Sequence, residues 1–247
     1  SLWAKHPLLR SQTANLYGQL QYDQLHLSDR VEVGAVENKR RLKNWMASLT
    51  ADLHDTLLSG GLNLLSLSYT NGEVSFQDEA AGLSDAASAQ TSGGFAKWNA
   101  SLSRLQRLGL RTSLYLSYFG QWAQSNLDSS MKMSVGGPYS VRAYAPGAIS
   151  GDEGNLGSIE LRQDLGSALG FWQAVAFADS ARVTINHSPW GDSTNHATLS
   201  GAGVGLNWAG PQQLSGRLYW ATHIGDKPEL VSTVPSTRLW AELRWGF

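Results

Sequence analysis

The feature that most constrains this chain is an alternation of polar and apolar residues with a period of two, which recurs in about ten windows along it. An extended strand throws successive side chains to opposite faces, so each such window is a strand with one apolar and one polar face. The last window is the clearest. In Arg238-Leu239-Trp240-Ala241-Glu242-Leu243-Arg244-Trp245-Gly246-Phe247, one face is Leu, Ala, Leu, Trp and Phe, and the other is Arg, Trp, Glu, Arg and Gly. Elsewhere Met46, Ser48, Thr50 and Asp52 alternate with Trp45, Ala47, Leu49, Ala51 and Leu53. Ser113, Tyr115, Ser117 and Phe119 alternate with Leu114, Leu116 and Tyr118. Ser158, Glu160, Arg162 and Asp164 oppose Ile159, Leu161 and Leu165.

Composition narrows what such strands can build. Charged residues make up 16% of the 247, against roughly 25% in ordinary soluble domains. No apolar run approaches the roughly 18 residues of a membrane helix. Low charge without helical spans fits a soluble β-rich protein or a membrane β-barrel, and ten Trp with 26 Gly favour the barrel. The net charge of −1 gives no global attraction to nucleic acid. With no Cys, disulfides, thiolate zinc sites and thiol catalysis are excluded. Ser1 opens no signal peptide, which leads us to expect a mature or truncated piece of an exported protein.

The windows place strands over 13–26, 39–54, 61–72, 94–107, 111–123, 156–166, 170–183, 197–208, 213–223 and 237–247. Between them, connections near 55–60, 108–110, 167–169 and 209–212 are short. Those near 27–38, 73–93, 124–155, 184–196 and 224–236 are long. Alternating short and long connections are the pattern of an outer-membrane barrel, whose periplasmic turns are short and outer loops long. Trp172, Trp208 and Trp245 then fall at periplasmic ends, and Trp45, Trp98, Trp122 and Trp240 toward outer ends. That distribution fits two interfacial girdles; packing in a core is the competing explanation.

A search for chemistry finds no constellation that makes an enzyme, and no cofactor or metal site. The six histidines, His6, His26, His54, His187, His196 and His223, include no pair four residues apart. Glu160 and Asp164, on one strand face, are roughly 13 Å apart by strand rise, too far for a glycosidase pair. Gly201, Gly203 and Gly205 lie in a strand-like window, not before a helix. We expect them on the inner face, making room for something inside. The longest loop holds Val135-Gly136-Gly137-Pro138-Tyr139-Ser140-Val141-Arg142-Ala143-Tyr144. Its density of turn formers and aromatics around one Arg exceeds what a solvated loop needs.

Gly136, Gly137, Pro138, Tyr139, Val141, Arg142 and Tyr144 resemble the signature loop of two-partner secretion transporters, the haemolysin-activator type of outer-membrane protein. In that family the loop folds back into the barrel lumen. Phe177-Ala178-Asp179-Ser180-Ala181 is similar to the family's later strand motif, Phe-x-Asp-x-Gly. Trp245 and Phe247 resemble the terminal signal read by barrel-assembly machinery, and Lys5-His6-Pro7-Leu8-Leu9-Arg10 shares the family's look. Ala143 and Ala181 stand where the family usually has Gly, a departure that matters if either backbone position needs positive φ.

The resemblance implies an all-β, transmembrane antiparallel barrel of about sixteen strands, within the known range of such barrels. Residues 1–247 would be its C-terminal part, about ten strands, without the family's periplasmic transport-associated domains. An open sheet of that size leaves two raw edges, so we expect a fragment. The implied location is the bacterial outer membrane. The implied partners are one secreted exoprotein, outer-membrane lipid and lipopolysaccharide, and the assembly machinery. Function is then a protein-secreting pore; an assembly factor of the same superfamily and a passive porin are the alternatives. The resemblance also implies that Arg142 meets Asp179, which strand alternation turns inward. In the competing arrangement Asp179 pairs with Arg162 or Arg182 and Arg142 stays in solvent.

Overall fold

A computed structural model describes residues 1–31, 36–167, 169–231 and 235–246. One antiparallel sheet of eleven strands contains β1 (Leu2–Arg10), β2 (Ala14–Val31), β3 (Val36–Asp55), β4 (Gly61–Phe76), β5 (Gly93–Arg107) and β6 (Thr112–Ala123). It continues with β9 (Glu153–Gly166), β10 (Phe171–Thr184), β11 (His196–Ala209), β12 (Leu214–His223) and β13 (Thr237–Trp245). Every strand pairs with its neighbour in this order. Between β6 and β9, β7 (Met133–Val135) and β8 (Ile149–Gly151) form a separate hairpin. A short helix, α1 (Glu79–Ala86), caps on Asp78, whose carboxylate accepts from the Ala80 and Ala81 amides.

The sheet has one strand more than the periodicity predicts. In β1 a register shift between Pro7 and Leu9 breaks the two-residue pattern, as a β-bulge does. Pro7 lacks an N–H and is suited to the sheet's edge. The long connection expected over 27–38 is also corrected. β2 and β3 stay paired from Ala14↔Leu53 up to Val31↔Val36, because polar residues on both faces hide a strand that continues past the apolar zone. The other connections sort as expected. Turns 11–13, 56–60, 108–111, 167–170 and 210–213 lie at one end, and the longer segments 77–92, 124–152, 185–195 and 224–236 at the other. The tight turns hold the left-handed residues Leu58, Leu169, Gln212 and Gln213.

The two faces of the sheet differ in kind. Leu49, Leu67, Leu102, Ile159, Leu161, Val204, Leu218, Leu239 and Leu243 are all exposed on the outer face. A soluble monomer does not display an apolar surface of this extent; a barrel wall in hydrocarbon requires it. Tyr22 packs on Trp45 at 5.0 Å and Tyr69 on Trp98 at 4.7 Å, and exposed Trp122 continues this aromatic row toward the long-loop end. Trp172 and Trp208 meet at 5.8 Å near the short turns. Trp240 departs from the girdle expected for it: it points inward, and its indole nitrogen donates to the Arg142 carbonyl at 2.7 Å.

The inner face is polar toward the short turns. There Asn15 donates to Asp52 at 2.8 Å, and a polar ladder of Gln19 to Gln21 at 3.0 Å and Gln21 to Asp23 climbs β2 up to the outer aromatic row. Toward the long loops it is covered by segment 124–152, which folds back inside. Met133, Val135, Val141, Ala143, Tyr144 and Ile149 of that segment pack on Val175, Phe177, Ala181 and Val183 of β10 and on Leu199, Tyr219 and Ala221 beyond it. Leu127 joins Leu42, Val74 and Phe95 from the opposite wall. The molecule's hydrophobic core therefore lies between a loop and the concave side of the sheet.

Candidate functional site: a loop latched inside the sheet

Two rows of side chains on the inner face make a seat for the loop. Strand register aligns Ser158, Asp179 and Gly201 in one row, and Glu160, Phe177 and Gly203 in the next. The glycines clear the space above them. A Cβ on Gly201 would lie 2.5 Å from the Ala143 Cβ, and one on Gly203 would lie 2.6 Å from the Phe177 ring. A Cβ on Gly205 would collide with the Tyr219 ring. Alternating glycines on β11 thus leave a trough into which the loop tip and two aromatic rings descend.

The tip is shaped by Gly136 and Gly137, with φ of 107° and 103°. A Cβ on Gly136 would lie 2.2 Å from the Ala145 carbonyl oxygen, so only glycine fits. The Gly137 amide donates to the Tyr144 carbonyl at 3.0 Å and the Tyr144 amide to the Val141 carbonyl at 3.1 Å. This tight fold buries Val141 and Tyr144 and turns Arg142 toward the wall. Ala143 and Ala181 both keep ordinary negative φ, so neither needs glycine's conformational freedom. Room for the Ala143 methyl comes from Gly201 instead.

Arg142 is held on every side. Its Nε donates to Asp179 Oδ2 at 2.8 Å and its Nη2 to Asp179 Oδ1 at 2.7 Å, a bidentate fork, while its backbone amide reaches Oδ2 at 3.1 Å. Nη1 donates to Glu160 Oε1 at 2.7 Å and Nη2 to Ser158 Oγ at 3.1 Å. Ser158 in turn donates to Asp179 Oδ1 at 2.7 Å. Arg162 takes the other oxygen of Glu160, at 2.6 and 2.8 Å. Two guanidinium groups and two carboxylates therefore balance in charge. Side-chain exposure is 5% for Arg142 and 0% for Asp179. Burial pulls the Arg142 pKa down, but the hydrogen bonds and charge of Asp179, with the charge of Glu160, outweigh it and hold the group above its usual value.

Aromatic rings complete the seat. The Arg142 guanidinium carbon lies 3.5 Å from the Phe177 ring centre and 5.3 Å from that of Tyr219, and the two rings meet edge-on at 5.8 Å. Tyr219 donates to Asn207 at 2.7 Å. Lower in the lumen, the Tyr139 hydroxyl donates to Glu242 at 2.5 Å and accepts from Arg244 at 3.0 Å. Pro138 lines the same space beside Tyr139.

Some of these partners are not evident from motifs. Glu160, Ser158, Tyr219 and Trp240 have inward strand positions but no signature around them. Arg162 pairs with Glu160 rather than Asp179, and Arg182 is exposed at an even, outward position of β10, so neither supplies Asp179 with its cation. Trp245 is exposed on the apolar face of β13 near the short turns. Phe247, expected to complete a terminal signal with it, lies outside the described residues.

An antiparallel sheet with an apolar exterior, a polar interior and a long loop ion-paired inside defines a protein of the transmembrane β-barrel class. A family profile described as haemolysin secretion/activation protein ShlB/FhaC/HecB matches residues 1–208, and the chain belongs to that family. Among curated relatives, the heme/hemopexin transporter protein HuxB of Haemophilus influenzae is 28% identical over 160 residues, 65% of this chain and 28% of its own length. The outer membrane transporter CdiB of Escherichia coli is 33% identical over 115 residues, 46% of this chain and 19% of its own. The chain thus spans less than a third of the curated relatives it matches. The solved structure of CdiB from Escherichia coli superposes with a TM-score of 0.75 at 24% identity, covering 97% of this chain and 43% of that one; the two share the fold.

Proposed function

We propose that this chain forms part of the wall, and the gating loop, of an outer-membrane pore that exports one large partner protein. The observation that carries this reading is the Arg142 latch. A loop of nearly thirty residues between β6 and β9 is fixed to the lumen wall by a buried Arg142–Asp179 pair within an ion-pair network, where a closed structural core needs no charge at all. Beside the loop lies a cavity of about 600 Å³, lined by Lys5, Tyr17, Asp52, Ser66, Ser101, Ser117 and Tyr139. Hydroxyls and scattered charge share this wall with apolar side chains such as Leu64, Leu102 and Phe119, so an extended polypeptide would meet hydrogen-bonding groups along its path. In this reading the ion pairs hold a resting position, and the loop leaves it when the partner passes. Two periplasmic domains of the parent protein would present the partner, and the assembly machinery would insert the barrel; both are part of the proposal.

Export of the co-expressed partner into the medium tests it. Arg142→Ala is expected to lower export at least about tenfold, since removing one member of a buried pair costs roughly 3–5 kcal/mol, while the barrel remains in the outer membrane at close to normal abundance. Normal export by Arg142→Ala would overturn the gating role.

A further inference from the structure

Above the outer aromatic row the sheet does not end. From Trp45 back to Val36, β3 rises nine further residues, about 30 Å at strand rise, still paired with β2. Along this extension the inward residues Arg40, Leu42 and Asn44 are buried. The residues between them face outward, and their character changes abruptly. Below are Trp45, Ala47 and Leu49; above are Lys43, Arg41 and Lys39. Lys43 and Lys39 are exposed and Arg41 half-buried, and the Arg41 Nε is buried without a hydrogen-bond partner. His26 pairs in register with Arg41 from β2 and is exposed. From the other side Glu73 of β4 lies in register with Lys43 and is one carboxylate facing this row, and Lys39 has an interaction of its own.

We propose that Lys39, Arg41 and Lys43 form a site for the phosphorylated saccharide headgroup of lipopolysaccharide, on the convex face immediately outside the Tyr22–Trp45 row. The inference rests on the outer-membrane reading. Hydrophobic contact below the aromatic row places acyl chains against Leu49 and Leu67. A glycolipid whose chains lie there carries its phosphates into the zone roughly 7–20 Å above Trp45 by strand rise, which is where the three cations stand. A purely solvated strand would not need three cations spaced two residues apart on one face. A zwitterionic headgroup would not need net positive charge there. The guanidinium of Arg41, flanked by two ammonium groups, suits a phosphate monoester by bidentate donation with point charges on either side.

The test uses the protein purified from outer membranes in mild detergent, comparing the wild type with Lys39→Ser/Arg41→Ser/Lys43→Ser and with Lys39→Arg/Lys43→Arg. Binding is measured with purified lipopolysaccharide, with the same lipopolysaccharide after enzymatic dephosphorylation, and with inorganic phosphate. The wild type should bind intact lipopolysaccharide, the triple serine variant at least about tenfold more weakly, given the worth of each cation near an anionic surface, and the arginine variant like the wild type. Dephosphorylated lipopolysaccharide should bind the wild type as weakly as the intact form binds the triple variant, and inorganic phosphate should not compete at millimolar concentration. Equal binding by wild type and triple variant, no preference for the phosphorylated form, or full competition by inorganic phosphate would overturn the proposal. Heat-modifiable migration of every variant shows that the barrel is folded. Absence of the wild type from the outer-membrane fraction would instead fail the reading on which the site rests.

Discussion

An arginine that has left water must have every N–H and its full charge satisfied within the protein, and Arg142 shows what that takes. Two carboxylates, a serine hydroxyl and an aromatic face surround it, and each geometry is specific to a planar fork. Arg142→Lys keeps the charge but cannot span Asp179 and Glu160 together. We expect it to weaken the loop's hold by about 2 kcal/mol, the worth of a lost hydrogen bond to a charged group. The readout is labelling of a single cysteine introduced by Val141→Cys, a fully buried position of the loop tip in a chain with no other cysteine, which should rise several-fold. The glycine trough predicts a complementary effect. Gly201→Val, driven into the Ala143 methyl, should cost about 1–3 kcal/mol by overpacking and expose the same cysteine. Adding Ala143→Gly should restore much of the protection, whereas two independent sites would simply add. Asp179 is legible in the sequence: alternation on β10 turns it inward and the motif flags it. Glu160 was legible only as an inward carboxylate, because its link to Arg142 runs between strands and loop, a relation no linear spacing carries.

At the level of elements, the root of the loop is as firmly built as its tip. Asp152, with 0% side-chain exposure, accepts from the Leu127 amide at 3.1 Å and the His187 amide at 2.9 Å, and pairs with Lys132 at 2.9 Å. One carboxylate thus ties segment 124–152 to segment 185–195. Asp152→Ala leaves half-buried Lys132 with only the Ile185 carbonyl and Asn186 as partners and two amides unsatisfied, so a loss of about 1–3 kcal/mol in loop stability is expected. Limited proteolysis should then nick between β6 and β9 while the strands stay intact; an unchanged digestion pattern would deny Asp152 this role. The strands themselves were readable because each has one face in hydrocarbon, which enforces the two-residue period. That rule lapses where hydrocarbon ends. It is why the paired extension of β2 and β3 reads as a loop, why bulged β1 escapes notice, and why the β7–β8 hairpin and α1, which sit away from the lipid, leave no periodic trace. Trp240 was misplaced for a related reason: a tryptophan at a girdle height serves equally well turned inward, and only the parity of its strand, shared with Glu242, tells the two apart.

For the whole molecule, the claim is that the sheet is a membrane wall and the loop its movable gate. The wall predicts a sided response to charge. Leu218→Arg, on the exposed apolar face, should destabilise the folded barrel by roughly 2–4 kcal/mol if it lies near mid-depth, whereas Ser66→Arg on the lumen side should be nearly silent in unfolding from lipid vesicles. Equal penalties would mean that the convex face does not meet hydrocarbon. The gate is tested most directly by a double-mutant cycle on its central pair. Export of the partner protein and barrel abundance would be measured side by side for Arg142→Ala, Asp179→Ala and the two combined. The account predicts that each single change lowers export at least about tenfold with abundance nearly unchanged, and that the double change is no worse than either, because both remove one shared contact. Additive losses, or wild-type export by either single variant, would contradict it.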